Sequence, residues 1–139
     1  MKSMKTLMIL LAVFLAHASF SQKLTVRIEN VRDDQGQVAV ALFDNENDFP
    51  KKRVQGKLTP ATKGAVEVVF ENLHDGEYAI SVMHDSNKNG EMDSNMFGMP
   101  KEGFGFSNNV MGFMGSPSFE KAKFKLSKDP VVIKLKYLN

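Results

Sequence analysis

The chain has 139 residues, with 18 Lys and Arg against 16 Asp and Glu, and it contains no cysteine. That length suits one domain with a substantial core, and the missing cysteines exclude both a disulfide framework and a thiol nucleophile. Without Lys2 and Lys5, which belong to the leader described next, 16 basic residues face 16 acidic ones, so charge gives no reason to expect a nucleic-acid partner.

Lys2 and Lys5 form a short basic start, Leu7 to Ala16 an apolar run, and His17-Ala18-Ser19-Phe20-Ser21 a stretch that includes small residues. This is the pattern of a secretory signal peptide over residues 1–21. Cleavage after Ala18 or after Ser21 fits, and the polar Gln22-Lys23 favours the second. The apolar run is about half of what a membrane-spanning helix needs, so no span is expected after cleavage. The expectation is an exported protein, periplasmic, cell-surface or extracellular, with residues 22–139 as its single domain.

Leu24, Val26 and Ile28 alternate with Thr25, Arg27 and Glu29, which predicts a half-buried strand. Asp33-Asp34-Gln35-Gly36 reads as a turn, and Val38 to Phe43 returns as a second strand, apolar on both faces. Residues 44–60 form an Asn- and Asp-rich connection that leaves room for a further strand between 51 and 60. Within it, Lys51-Lys52-Arg53 reads as a solvated edge. Ala65 to Phe70 and Glu77 to Met83 are strands joined by the turn Asn72-Leu73-His74-Asp75-Gly76. Phe119 to Leu126 and Val131 to Tyr137 alternate again. With no sustained helical period after the leader, the fold class expected is all-β, a single antiparallel β-sandwich of about seven strands.

One long loop, residues 85–118, has no clear strand and is expected to be ordered, since Phe97, Phe104, Phe106, Phe113 and five methionines are too apolar to leave in water. It opens with Asp85-Ser86-Asn87-Lys88-Asn89-Gly90-Glu91-Met92-Asp93. Oxygen side chains at positions 1, 3, 5 and 9, with glycine at 6, can wrap one hard cation. Asp85, Asn87, Asn89 and Asp93 would supply side-chain oxygens and Glu91 its carbonyl. Position 12 is Met96, so the usual bidentate acid is missing there, and Glu102 is the candidate to fold back in its place. The cofactor this implies is calcium. A plain Asx-rich turn fits the same run, because Asn and Asp bond their own backbone and Asn89-Gly90 is a strong turn pair.

Two other readings use the same region. Met83, Met92, Met96, Met99, Met111 and Met114 lie near His84 in sequence, a soft donor set that would suit copper, although methionine also fills irregular gaps. His84-Asp85 and His74-Asp75 resemble catalytic dyads, but neighbours along a strand point to opposite faces. No catalytic motif is found and no catalytic residue is assigned, so the chain is expected to be non-catalytic. A hydrolase with an unrecognised site is the third alternative.

The run Gly76-Glu77-Tyr78-Ala79-Ile80, continuing through His84-Asp85-x-Asn87-x-Asn89-Gly90-x-x-Asp93, resembles the exported bacterial family known as domain of unknown function 2141. Phe97-Gly98-x-Pro100-x-Glu102-Gly103-x-Gly105-Phe106-Ser107-Asn108-Asn109 and Pro117-Ser118-Phe119-x-x-Ala122-x-Phe124 extend the likeness over roughly residues 38–137. It implies a small exported sandwich without an established activity. Leu73-x-x-Gly76-x-Tyr78 also looks like the turn of prealbumin-like sandwich modules, including adhesin B-type repeats, some of which bind calcium through a similar Asp-x-Asn-x-Asn-Gly loop. That likeness covers Asp85, Asn87, Asn89, Glu91 and Asp93 but not position 12. The partner class expected is a cell-surface or periplasmic protein or glycan.

Overall fold

The computed structural model describes residues 21–113 and 115–138, so the leader reading lies outside the described residues except at Ser21. The alternating segments become two packed sheets. In the first, β1 (Gln22–Val31) lies between β4 (Gly64–Leu73), which is antiparallel to it, and β8 (Val131–Lys134), which is parallel. In the second, β3 (Gln55–Pro60), β2 (Gln37–Phe43), β5 (Glu77–Asp85) and β6 (Gly103–Phe106) follow one another, all antiparallel. The two-residue β7 (Phe124–Lys125) pairs with the start of β5.

The alternation decides what is buried. Leu24, Val26 and Ile28 meet Val66, Val68 and Phe70 across one sheet, and Val38, Val40, Leu42, Ile80 and Val82 close the core from the other. Removing this apolar surface from water is the main favourable term for a fold without disulfides. The β-sandwich expectation therefore holds, and β3 occupies the space left for a strand between residues 51 and 60.

Three details differ from the expectation. The β1–β8 pair is parallel, because β8 enters from the opposite sheet and no tight hairpin forces antiparallel pairing. Residues 119–126 begin with a short helix, α1 (Phe119–Ala122), before β7. Ser118 caps it by accepting from the Lys121 N–H, a local bond that outweighs the strand-like alternation, while Ala122 and Leu126 still point into the core.

The third difference is β6, inside the segment expected to be loop. Its Gly-Phe-Gly-Phe sequence looks poor for a strand because glycine packs no side chain. Here the glycines are required by a close approach. A Cβ on Gly103 would sit 2.4 Å from the Tyr137 ring, and one on Gly105 would sit 2.8 Å from an Ile133 methyl. Phe104 and Phe106 take the other face and are half-buried, as expected. The expectation for Phe97 and Phe113 is overturned: they are 81% and 95% exposed at loop tips that no element covers.

Directly after β6, Ser107 is fully buried and joins two elements. Its hydroxyl accepts from the Ile80 N–H (2.9 Å) and donates to the Ala122 carbonyl (2.5 Å). Ile80 lies just outside the β5–β6 ladder, which begins at Ser81, so the serine occupies the place of the next ladder bond.

Candidate functional site

His84 and Asp85 end β5, and the period of two sends them to opposite faces. His84 faces inward and is fully buried. Its Nε2 lies 2.7 Å from the Gln35 carbonyl and its Nδ1 2.8 Å from the Tyr137 hydroxyl. One proton arrangement satisfies the whole chain: Nε2–H donates to Gln35, the Tyr137 hydroxyl donates to Nδ1, and that hydroxyl accepts from the Arg32 N–H at 2.9 Å. Burial raises the Tyr137 pKa above the ordinary phenol value, which keeps the hydroxyl a donor. Tyr137→Phe is expected to destabilise the fold by about 1–2 kcal/mol in urea unfolding, because His84 Nδ1 would lose its buried partner. A loss below about 0.5 kcal/mol would contradict this proton arrangement.

Asp85 is also fully buried, and it anchors the loop that follows. Its Oδ2 accepts from Gln37 Nε2 (3.1 Å) and from the Gly90 N–H (2.9 Å), while Oδ1 accepts from the Asn89 N–H (3.2 Å). Lys88 and Gly90 take positive φ values of 56° and 76°, curling the chain so that these amides face the carboxylate. Gly36 packs beneath the loop at φ +71°, against the Asp85 and Ser86 carbonyls.

Asp93 closes the loop from the far side. Its carboxylate accepts from the side-chain amides of Asn87 (2.8 Å) and Asn89 (2.9 Å). Those two contacts are the largest causes that lower its pKa from the ordinary carboxylate value. The Asn oxygens are occupied as well: Asn87 Oδ1 accepts from the Asn89 N–H (3.3 Å), and Asn89 Oδ1 from the Glu91 N–H (3.0 Å). Glu91 is otherwise an exposed side chain.

Glu102, the residue just before β6, returns to this loop as the candidate replacement for position 12. It is only 6% exposed, and its Oε2 has no hydrogen-bond partner among the described residues. Burial pushes its pKa up to about 7, followed by a side-chain hydrogen bond to Asp93 and the charges of Asp93 and Asp85. Two carboxyls in contact share a proton more easily than they both ionise. Asp85, Asn87, Asn89, Asp93 and Glu102 therefore converge on one end of the sheet, with Glu91 at its margin. Among the described residues, no group of three or more His, Cys, Asp or Glu side chains forms a ready-made metal cage, because amide and carboxyl hydrogen bonds hold the loop closed on itself.

The soft-donor reading loses one member. His84 points into the core, whereas Met83 lies on the opposite face of β5, and Met114 lies outside the described residues. Sequence reasoning missed Gln37 and Tyr137, which fix Asp85 and His84 from elements distant in the chain. No local pattern near either residue marks such a role.

A family model described as an uncharacterized protein conserved in bacteria (DUF2141) matches residues 26–134. No curated protein and no solved structure matches the chain, and the prealbumin-like resemblance is left unconfirmed.

Proposed function

The chain belongs to the DUF2141 family of uncharacterized bacterial proteins, and from that premise we propose an exported, non-catalytic binding or structural module whose residue 85–93 loop is organised by one calcium ion. The observation that carries this reading is Glu102. A carboxyl buried to this degree, with an unpaired Oε2 beside Asp93, is unfavourable unless a proton or a cation neutralises it. Calcium accepts six to eight oxygens in flexible geometry, and here Asp85, Asp93 and Glu102 would supply charge while Asn87, Asn89 and the Glu91 carbonyl complete the set. To bind, the Asn87 and Asn89 amides turn their oxygens inward and release Asp93. Export rests on the leader pattern of residues 1–21, and a periplasmic or cell-surface protein or glycan is the partner class it implies.

The test is a thermal melt of the purified protein in chelator and then across micromolar to millimolar calcium, with magnesium as control. A ligand that binds only the folded state stabilises by about 2.7 kcal/mol at a hundredfold excess over Kd. A saturable, calcium-selective rise in Tm is expected, largely lost in Glu102→Gln and in Asp93→Asn. Asp85→Ala should abolish the calcium-linked rise while the sandwich stays folded. It should also lower the Tm in chelator, since three hydrogen bonds disappear with that carboxylate. A flat response to calcium, or equal rises in wild type and Glu102→Gln, would overturn the reading and leave an Asx-rich turn.

A further inference from the structure

The outer face of the five-stranded sheet forms a trough of about 1140 Å³, and its floor and walls follow from the sequence of the strands. Midway along the two central strands the outward residues are small, Ala39 and Ala41 on β2 and Ser81 on β5, with Gln37 and Met83 beyond them toward the loop end. Their neighbours on the outer strands are large, with Leu58 on β3 and Phe104 and Phe106 on β6. Small side chains flanked by large ones make a channel across a twisted sheet. Met92 from the cation loop and Phe97 and Met99 from the segment after it also line the trough.

Most surfaces scatter their exposed apolar residues. This one gathers them. Of the eleven large apolar side chains left exposed among the described residues, six line the trough. The volume lies slightly above the usual range of small-molecule pockets, roughly 300–1,000 Å³.

The charges along the trough are separated. At the loop end stands the Asp85 carboxylate, already engaged by Gln37 and the loop amides. Beside β3 stands Arg53, whose side chain has no hydrogen bond or ion pair among the described residues. Gly56 lets Arg53 lie against the strand, since a Cβ at that position would come within 2.6 Å of the guanidinium Nε. A cationic fork beside an apolar channel matches a ligand with one anionic head and one apolar body.

We propose that this trough binds a free, single-chain anionic amphiphile of the long-chain carboxylate class, with its head on Arg53 and its chain along Ala39, Ala41 and Ser81. The site adjoins the cation loop, whose Asp85, Gly90 and Met92 line one end of it, while the proposed head group sits at Arg53. It also gives a task to Arg53, the last residue of a basic run that otherwise reads as a solvated edge.

The experiment is a titration of the full-length protein with a long-chain fatty acid carrying an environment-sensitive fluorophore at its far end, in chelator and in calcium. Saturable binding of one probe per chain is expected, displaced by unlabelled long-chain carboxylate. Ser81→Trp fills the floor and should weaken binding at least tenfold. Leu58→Asp tests the wall at a position already 66% exposed, where folding is not at stake, and should weaken it several-fold. Arg53→Glu should weaken the carboxylate at least fivefold while leaving the alcohol of equal chain length unchanged. Absent saturation, indifference to both Ser81→Trp and Leu58→Asp, equal effects of Arg53→Glu on acid and alcohol, uptake only by anionic vesicles, or probe burial that tracks dimer formation would each overturn the proposal.

Discussion

In chelator, the Tm is expected to fall as pH rises from 5.5 to 8.5, and saturating calcium is expected to remove most of that fall. The cause is Glu102, whose pKa rises from the ordinary 4.5 to about 7, first through burial and then through Asp93 and Asp85. Between those two values the folded chain keeps a proton that the unfolded chain has released, so folding is weakened as pH climbs. The advantage of that proton is whole below 4.5 and gone once pH has passed through 7. At about 1.4 kcal/mol per pH unit, the loss between pH 5.5 and 7 is at most about 2 kcal/mol. Asp93 is shifted the other way, so its contribution is lost only in acid, outside this window. Glu102→Gln should flatten the profile by the same amount, which assigns the effect to Glu102. A chelator profile that is flat, or that rises through pH 7, would remove the shared-proton account of Glu102 and Asp93.

Gly36→Ala is expected to destabilise the fold by about 2–4 kcal/mol and to loosen the cation loop, although Gly36 lies outside that loop. A methyl group there would sit 2.2 Å from the Asp85 carbonyl oxygen and 2.5 Å from that of Ser86, both rigid backbone atoms. The positive φ of +71° adds roughly 1 kcal/mol against any L side chain, and forced displacement of packed groups adds about 1–3 more. The Gly36 carbonyl also accepts from the Ala61 N–H at 3.1 Å, so the turn cannot simply move away. Gly90→Ala is the matched control. Gly90 has a similar φ of +76° but open space where its Cβ would stand, so only about 1 kcal/mol should be lost. Urea unfolding of the pair checks both numbers. Equal losses would mean that φ, and not the contact with Asp85 and Ser86, dominates at position 36.

The strands that pack by alternation were legible because one period serves both local shape and burial. Leu24, Val26 and Ile28, and later Val66 and Val68, are inward in the structure as they are in the pattern. β6 was illegible for the opposite reason: its inward residues are glycines, chosen by the Tyr137 ring and Ile133 rather than by strand preference. In residues 119–126 a single Ser118 cap turned four residues into α1 without changing which side chains face the core. For the site, the spacing of Asp85, Asn87, Asn89 and Asp93 gave the loop, and the structure brings Glu102 back beside Asp93. What no local spacing could disclose is that Gln37 and Gly36, nearly fifty residues earlier, hold the first of those residues in place.

The parallel partnership of β1 with β8 bears on how the chain acquires its shape. Val26 finds its neighbour at Val131, so the first sheet is incomplete until more than a hundred further residues have been made. Topologies dominated by such distant pairings fold in milliseconds to seconds, whereas helical bundles of similar size need microseconds to milliseconds. A chain that emerges from its N-terminus therefore stays loose while it is synthesised, with β1 unable to settle between its two partners. For the export proposed above, such a delay would keep the chain open while it is threaded through a narrow channel.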